Sequence, residues 1–184
     1  MHQGRFVCTG NIFRSLTAEF ALRQQLGNRP DLWVASAGTA ERHFEVHPSV
    51  RDYLRSRGID VSSHRRRTVR ADMLRGRVSV IAMSTDHRGF IAQHFLRRDV
   101  ALFTEACGLD PAPLPDIHEA VSDCLTNAQA AEAHVRLTID RILGLTPRLA
   151  SRPAQLTDPA ELRTWGPDCS LKMTKCTQGG RRKH

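Results

Sequence analysis

The residues with the most evident chemistry lie close together near the start of the chain: Cys8, then Thr9, Gly10, Asn11, Ile12 and Phe13, then Arg14 and Ser15. Apolar Phe6 and Val7 precede them and a helical pattern follows. Five residues curling from a strand end to a helix start turn successive backbone N–H groups inward. They form a nest for an anion, reinforced by the positive end of the helix dipole. Gly10 is read as the residue that permits the turn. Arg14 carries a planar fork suited to two oxygens of a phosphoryl group. Cys8 sits at the floor of the nest, where the same field favours thiolate over thiol and makes the sulfur a nucleophile. Ser15 is placed to donate to that sulfur or to cap the helix, and Asn11 to hold the loop in shape. The competing reading is a buried strand-end cysteine before an ordinary turn. The conjunction of strand, Gly-Asn, Arg, Ser and helix favours the phosphate loop.

A proton donor for a leaving group has one good candidate. Asp116 follows Pro111, Pro113 and Pro115 in a loop before a long helical pattern. Its plain alternative is a helix N-cap, with Glu119 completing a capping box. The run His64, Arg65, Arg66, Arg67 is read as a solvated charged face.

These groups need a frame, and the hydrophobic pattern supplies one. Strands are expected over residues 5–8, 32–36, 78–83 and 100–103. Helices are expected over 15–26, 48–58, 68–74, 86–95 and 117–143, the last softened near Thr126 and Asn127. Gly27 stops the first helix and Pro48 opens the second. The alternation predicts an α/β single-domain three-layer sandwich: a four-stranded parallel sheet, helices on both faces, and the phosphate loop after strand 1. Ligands of such sheets bind at the strand carboxyl ends, where Cys8 lies. From Thr146 the pattern breaks up at successive prolines. We therefore divide the chain into a domain at 1–144 and a basic, disordered tail at 145–184, with one helical turn expected near Pro159.

Composition narrows the classes further. The chain has 184 residues and a net charge of +8. Its three lysines, Lys172, Lys175 and Lys183, all fall in the tail, which carries most of the positive excess. A folded nucleic-acid binder would concentrate charge on its domain, so nucleic acid is not an expected partner. No apolar run is long enough to span a membrane, and the first residues lack a signal-peptide pattern. The five cysteines are odd in number and show no C-x-x-C pair, which argues against a disulfide framework or zinc site and for the cytoplasm.

The loop resembles that of the low-molecular-weight protein tyrosine phosphatases, whose pattern is V-C-x-G-N-I-C-R-S-P. The resemblance continues through Ser36-Ala37-Gly38-Thr39, through Gly58-Ile59-Asp60-Val61-Ser62-Ser63-His64-Arg65-Arg66-Arg67, and to Leu114-Pro115-Asp116. It implies that Cys8 attacks phosphorus to give a phospho-cysteine and that Arg14 with the amides of residues 9–15 binds the transferring group. It further implies that Asp116 serves as general acid and then base, and that neither metal nor cofactor takes part. The implied partner is a phosphorylated protein, with the chain a monomer or weak dimer. Several positions depart from the pattern: Phe13 replaces the family's second loop cysteine, Leu16 the proline after Arg-Ser, and Ile117 and His118 the proline and aromatic after the acid. Phe44 is a candidate for the missing ring wall. Ile12 resembles the tyrosine-specific members; those specific for phosphoarginine carry threonine. Two other functions fit the same loop: arsenate reduction, with Cys107 and Cys124 as the relay thiols, and a non-catalytic phosphate-binding module.

Overall fold

The computed structural model describes residues 2–27, 29–42 and 45–152. The elements are β1 (His2–Cys8), α1 (Arg14–Leu26), β2 (Leu32–Gly38), α2 (Pro48–Ser56), a 3-10 turn (Ala71–Leu74), β3 (Val78–Ala82), α3 (Thr85–Phe95), β4 (Val100–Leu102), α4 (Phe103–Ala106), α5 (Ile117–Ala120) and α6 (Ala128–Ala150).

All strands are parallel, in the order β2-β1-β3-β4. Alternate side chains leave opposite faces of each strand. Phe6, Cys8, Val34, Ile81 and Met83 pack on one side with Ala18 and Leu22 of α1 and Ile142 and Leu149 of α6. Val7, Ala37, Val80, Ala82 and Leu102 pack on the other with Leu74 and Ile91 of α3. A third cluster joins α1, α2 and α6 through Leu16, Leu54 and Ile139. The expected three-layer α/β arrangement is present. After β1 the chain adds β2 on one side and then crosses back to β3 on the other, so β1 ends where the winding direction reverses. That switch point is where an open α/β sheet leaves a crevice, and Cys8 is the last residue of β1.

Three expectations need correction. Residues 68–70 are not helical, and only a short 3-10 turn forms at Ala71–Leu74. The helix expected over 117–143 is two helices, because Asn127 caps a fresh start: its side chain accepts from the Ala130 amide. The last helix also does not stop near 144. It runs to Ala150 with Pro147 inside, because Thr146 is buried and Leu149 packs in the cluster that holds Phe6 and Ile81 of the sheet, and packing outweighs the amide that proline lacks. The rest of the expected tail, including the turn near Pro159, lies outside the described residues, as does Phe44. Among the described residues no helix is long and apolar enough to cross a membrane.

Candidate active site

The geometry of residues 8–14 follows from where their carbonyls go. The Cys8 carbonyl accepts from the Thr39 amide at 2.9 Å and the Thr9 carbonyl from the Ala40 amide at 3.0 Å. The Gly10 carbonyl accepts from Arg66 Nε at 3.0 Å and the Asn11 carbonyl from His64 Nε2 at 2.8 Å. A trans peptide holds its C=O and N–H on opposite sides. Four carbonyls drawn outward therefore turn the amides of Thr9, Gly10, Asn11 and Ile12 inward. The Asn11 amide shows this directly, donating to Cys8 Sγ at 3.3 Å. Ser15 Oγ lies 2.9 Å from the same sulfur. Helix α1 begins at Arg14, with Phe13 in the N-cap position, so Ser15 serves the sulfur rather than the cap.

Asn11, not Gly10, takes the left-handed backbone, with φ 56°. Asparagine tolerates that region when its side chain is tied down. Here Nδ2 donates to Ser15 Oγ at 3.1 Å and to Ser36 Oγ at 2.6 Å, and Oδ1 accepts from the Arg67 amide at 2.9 Å. The Ser36 hydroxyl in turn donates a hydrogen bond to the buried Glu19, whose carboxylate also pairs with Arg23 at 2.7 Å. Gly38 supplies the close approach: a Cβ there would lie 2.6 Å from the Thr9 carbonyl oxygen.

Arg14 is buried (1% exposed). Its Nη1 donates to the Leu114 carbonyl at 2.7 Å and its Nη2 pairs with Asp116 Oδ2 at 2.5 Å. Asp116 is indeed the N-cap of α5, accepting from the Ile117 amide at 2.8 Å, but it does so through Oδ1. One oxygen caps while the other faces the loop. The Leu114 amide binds the Met83 carbonyl at 2.8 Å, which fastens the Asp116 segment to the end of β3. His134 Nε2 donates to the Pro115 carbonyl at 3.3 Å from the α6 side.

The structure thus brings Cys8, Arg14, Ser15 and Asp116 to one end of the sheet. It turns Phe13 away: the ring packs among Leu16, Val50 and Ile139, and its carbonyl joins α1 through the Thr17 amide. Ile12 is half-buried at the loop.

Sequence reasoning missed the outer clamps. The run at 64–67 is not a solvated face. His64 and Arg66 hold loop carbonyls, Arg66 also donates to the Ala40 carbonyl, and only Arg65 is exposed. Burial pushes the His64 imidazole down, against the pull of the Asn11 carbonyl. Glu19 and His87 were missed too. His87 Nε2 meets Thr9 Oγ1 at 2.9 Å. The signals available were the His64-x-Arg66 pair inside a segment of matching pattern and, for His87, its place at the carboxyl edge of β3.

The relay thiols expected for arsenate chemistry are poorly suited to it. Cys107 is fully buried in apolar surroundings, which push its thiol up to about 12. Cys124 Sγ is 2.9 Å from His118 Nδ1 beyond α5. Among the described residues no cluster of His, Cys, Asp or Glu could hold a metal ion.

Comparison with known proteins agrees with this geometry. The model of the low molecular weight phosphotyrosine protein phosphatase family matches residues 5–107, more than half the chain. No curated protein sequence matches. Among solved structures, the low molecular weight protein tyrosine phosphatase from T. tengcongensis is 26% identical with a TM-score of 0.66. That likeness covers 83% of this chain and 99% of that one. The YwlE arginine phosphatase from Geobacillus stearothermophilus is 22% identical, TM-score 0.68, covering 84% and 94%. The tyrosine phosphatase Wzb from Escherichia coli K30, in complex with sulphate, is 20% identical, TM-score 0.66, covering 83% and 99%. The likenesses to solved structures speak for the fold, and the family match over residues 5–107 speaks for kinship. An anion nest after β1, on this sheet and with this match, leaves one conclusion: the chain belongs to the low molecular weight phosphotyrosine protein phosphatase family.

Proposed function

We propose that the chain hydrolyses phosphotyrosine in proteins, with Cys8 as nucleophile, Arg14 and the loop amides as the phosphoryl-binding group, and Asp116 as general acid. The observation that carries this reading is the set of four outward carbonyls, which fixes inward amides around the Cys8 sulfur. Fixed dipoles of this kind stabilise charge that develops on a transferring phosphoryl group without reorganising.

In the first step the Cys8 sulfur attacks phosphorus. The S–P bond forms, the P–O bond breaks, and the Asp116 carboxyl gives its proton to the departing phenol oxygen. Arg14, held by Asp116, turns its fork to two phosphoryl oxygens and leaves the carboxyl to carry that proton. In the second step Asp116 takes a proton from water, the water oxygen attacks phosphorus, and the S–P bond breaks to release inorganic phosphate and the thiolate.

Two features support an aryl ester. Ile12 puts an apolar side chain at the loop where a guanidinium substrate would need a polar one. Ile117, the residue after the acid, lines a groove of about 440 Å³ with His47, Val50, Leu125 and Val135, which offers apolar surface to a substrate. A phosphorylated substrate accords with the family match, and a cytoplasmic location suits a cysteine nucleophile that must stay reduced.

The test is turnover of phosphotyrosine, phosphoarginine and phosphoserine peptides by the wild type, with Cys8→Ser in parallel. Phosphotyrosine is expected to be hydrolysed fastest, and Cys8→Ser to be inactive on all three. Faster hydrolysis of phosphoarginine overturns the substrate; equal rates in the two proteins overturn the mechanism. Phosphate binding without turnover marks the chain as a binding module.

A further inference from the structure

The clamps on the loop come mainly from one flank, residues 38–40 and 64–67. On the opposite flank stands His87, in the first turn of α3 just beyond β3. Its side chain is buried (4% exposed) and bridges two hydroxyls: Nδ1 is 2.7 Å from Ser84 Oγ, and Nε2 is 2.9 Å from Thr9 Oγ1. Arg14 and Asp116 of the site and Asp86 of its own helix act on it electrostatically. Burial is the largest influence, followed by Arg14, and together they push the imidazole down to about 4. The ring is therefore neutral at neutral pH.

A neutral imidazole has one N–H and one lone pair, and Ser84 decides which nitrogen has which. Ser84 is buried, and although it is the N-cap of α3 its hydroxyl makes no capping hydrogen bond. A buried hydroxyl proton is costly to leave unpaired, and Nδ1 is the acceptor beside it. Nδ1 then carries the lone pair, and Nε2–H donates to Thr9 Oγ1. Accepting that bond leaves the Thr9 hydroxyl its own proton to donate. Thr9 is exposed, directly follows Cys8, and has its backbone anchored through the Ala40 amide. Among the described residues its hydroxyl meets only His87, which leaves an oriented proton to donate.

We propose that His87 is a positioning residue for the reaction: its Nε2–H orients the Thr9 hydroxyl so that this side chain donates to the phosphoryl group bound over Cys8, beside the inward amides. The proposal rests on the phosphate-binding reading of the loop. The two can fail separately, because the measured quantity is phosphate affinity as well as turnover.

The experiment compares Thr9→Val, His87→Ala, His87→Gln and the double Thr9→Val/His87→Ala variant. Inorganic phosphate is the probe, both as competitive inhibitor of the active enzyme and, by calorimetry, as ligand of the Cys8→Ser protein. Thr9→Val and His87→Ala are each expected to weaken phosphate binding and raise KM by about 5–10-fold. The double variant should lose no more than either single one, since one hydrogen-bond chain is removed only once. His87→Gln, which keeps an N–H near the Nε2 position, should recover most of the loss. Unchanged phosphate affinity in Thr9→Val overturns the proposal, as do losses that multiply in the double variant. Thr9→Val changes an exposed residue, so it decides the matter even where His87→Ala fails to fold. A wild type that binds phosphate without turning over phosphotyrosine overturns the catalytic reading and leaves the His87 test standing on binding alone.

Discussion

Cys8 and Cys107 are withdrawn from solvent to nearly the same degree, 2% and 0% exposed, yet their surroundings are opposite. Cys107 ends the short α4 among apolar side chains. Burial pushes its thiol up to about 12, although Arg148 and Arg152 pull the other way. Cys8 closes β1 with the Asn11 amide and Ser15 Oγ on its sulfur and with further amides turned toward it. Depth alone makes a cysteine inert; hydrogen-bond donors aimed by a braced main chain fit it for chemistry. The bracing is the costly part, because it recruits residues from β2, from 64–67 and from α3 to hold a seven-residue loop.

The comparison can be broken by substitution. Cys8→Ser should lose turnover by at least about 10³-fold, since the proposed intermediate forms on the Cys8 sulfur. Cys107→Ala should retain turnover and lose about 1 kcal/mol of stability in urea unfolding. Asp116→Asn should lose about 10²–10³-fold in kcat on phenyl phosphate and less on p-nitrophenyl phosphate, whose leaving group needs little protonation. Equal losses on both substrates would remove Asp116 from the acid role.

Two further variants sharpen the contrast. Asn11→Ala removes the side-chain ties to Ser15, Ser36 and the Arg67 amide and puts a residue that tolerates left-handed backbone poorly at φ 56°. About tenfold lower kcat/KM and about 2 kcal/mol lower stability are expected, read from steady-state kinetics and urea unfolding.

The smallest effect concerns acid. The folded state holds the His87 imidazole at about 4, against 6.5 in the unfolded chain, so between those values the unfolded chain binds the extra proton. The contribution of His87 is full above pH 6.5 and is lost as the pH falls toward 4, about 1–3 kcal/mol in all. His87→Gln should flatten the stability profile between pH 7 and 5. An unchanged slope would mean that the ring is not held neutral.

The frame was legible because buried parallel strands and capped helices leave periodic traces. The apolar run at 78–83 and Pro48 before its helix are examples. The loop that joins Cys8 to Arg14 was legible because its residues keep a fixed spacing between a strand and a helix. The clamps were not. Arg66 reaches a carbonyl 56 positions away and His64 one 53 away, and in the sequence the pair looks like any charged run. Phe13 sits inside the loop motif, yet its side chain belongs to the core between α1, α2 and α6, a direction the one-dimensional pattern does not hold. The end of α6 misled for a similar reason: Pro147 signals a break, but Leu149 two residues on packs in the cluster that holds Phe6 and Ile81 of the sheet.

The most direct test of the account is where phosphate resides during turnover. The enzyme is mixed with p-nitrophenyl phosphate, quenched in acid within milliseconds, digested and mapped by mass spectrometry. The account predicts phosphate on the peptide containing Cys8, attached to sulfur, and no sulfur-bound phosphate in the Cys8→Ser protein. Turnover with phosphate on another residue, or on none, would contradict it.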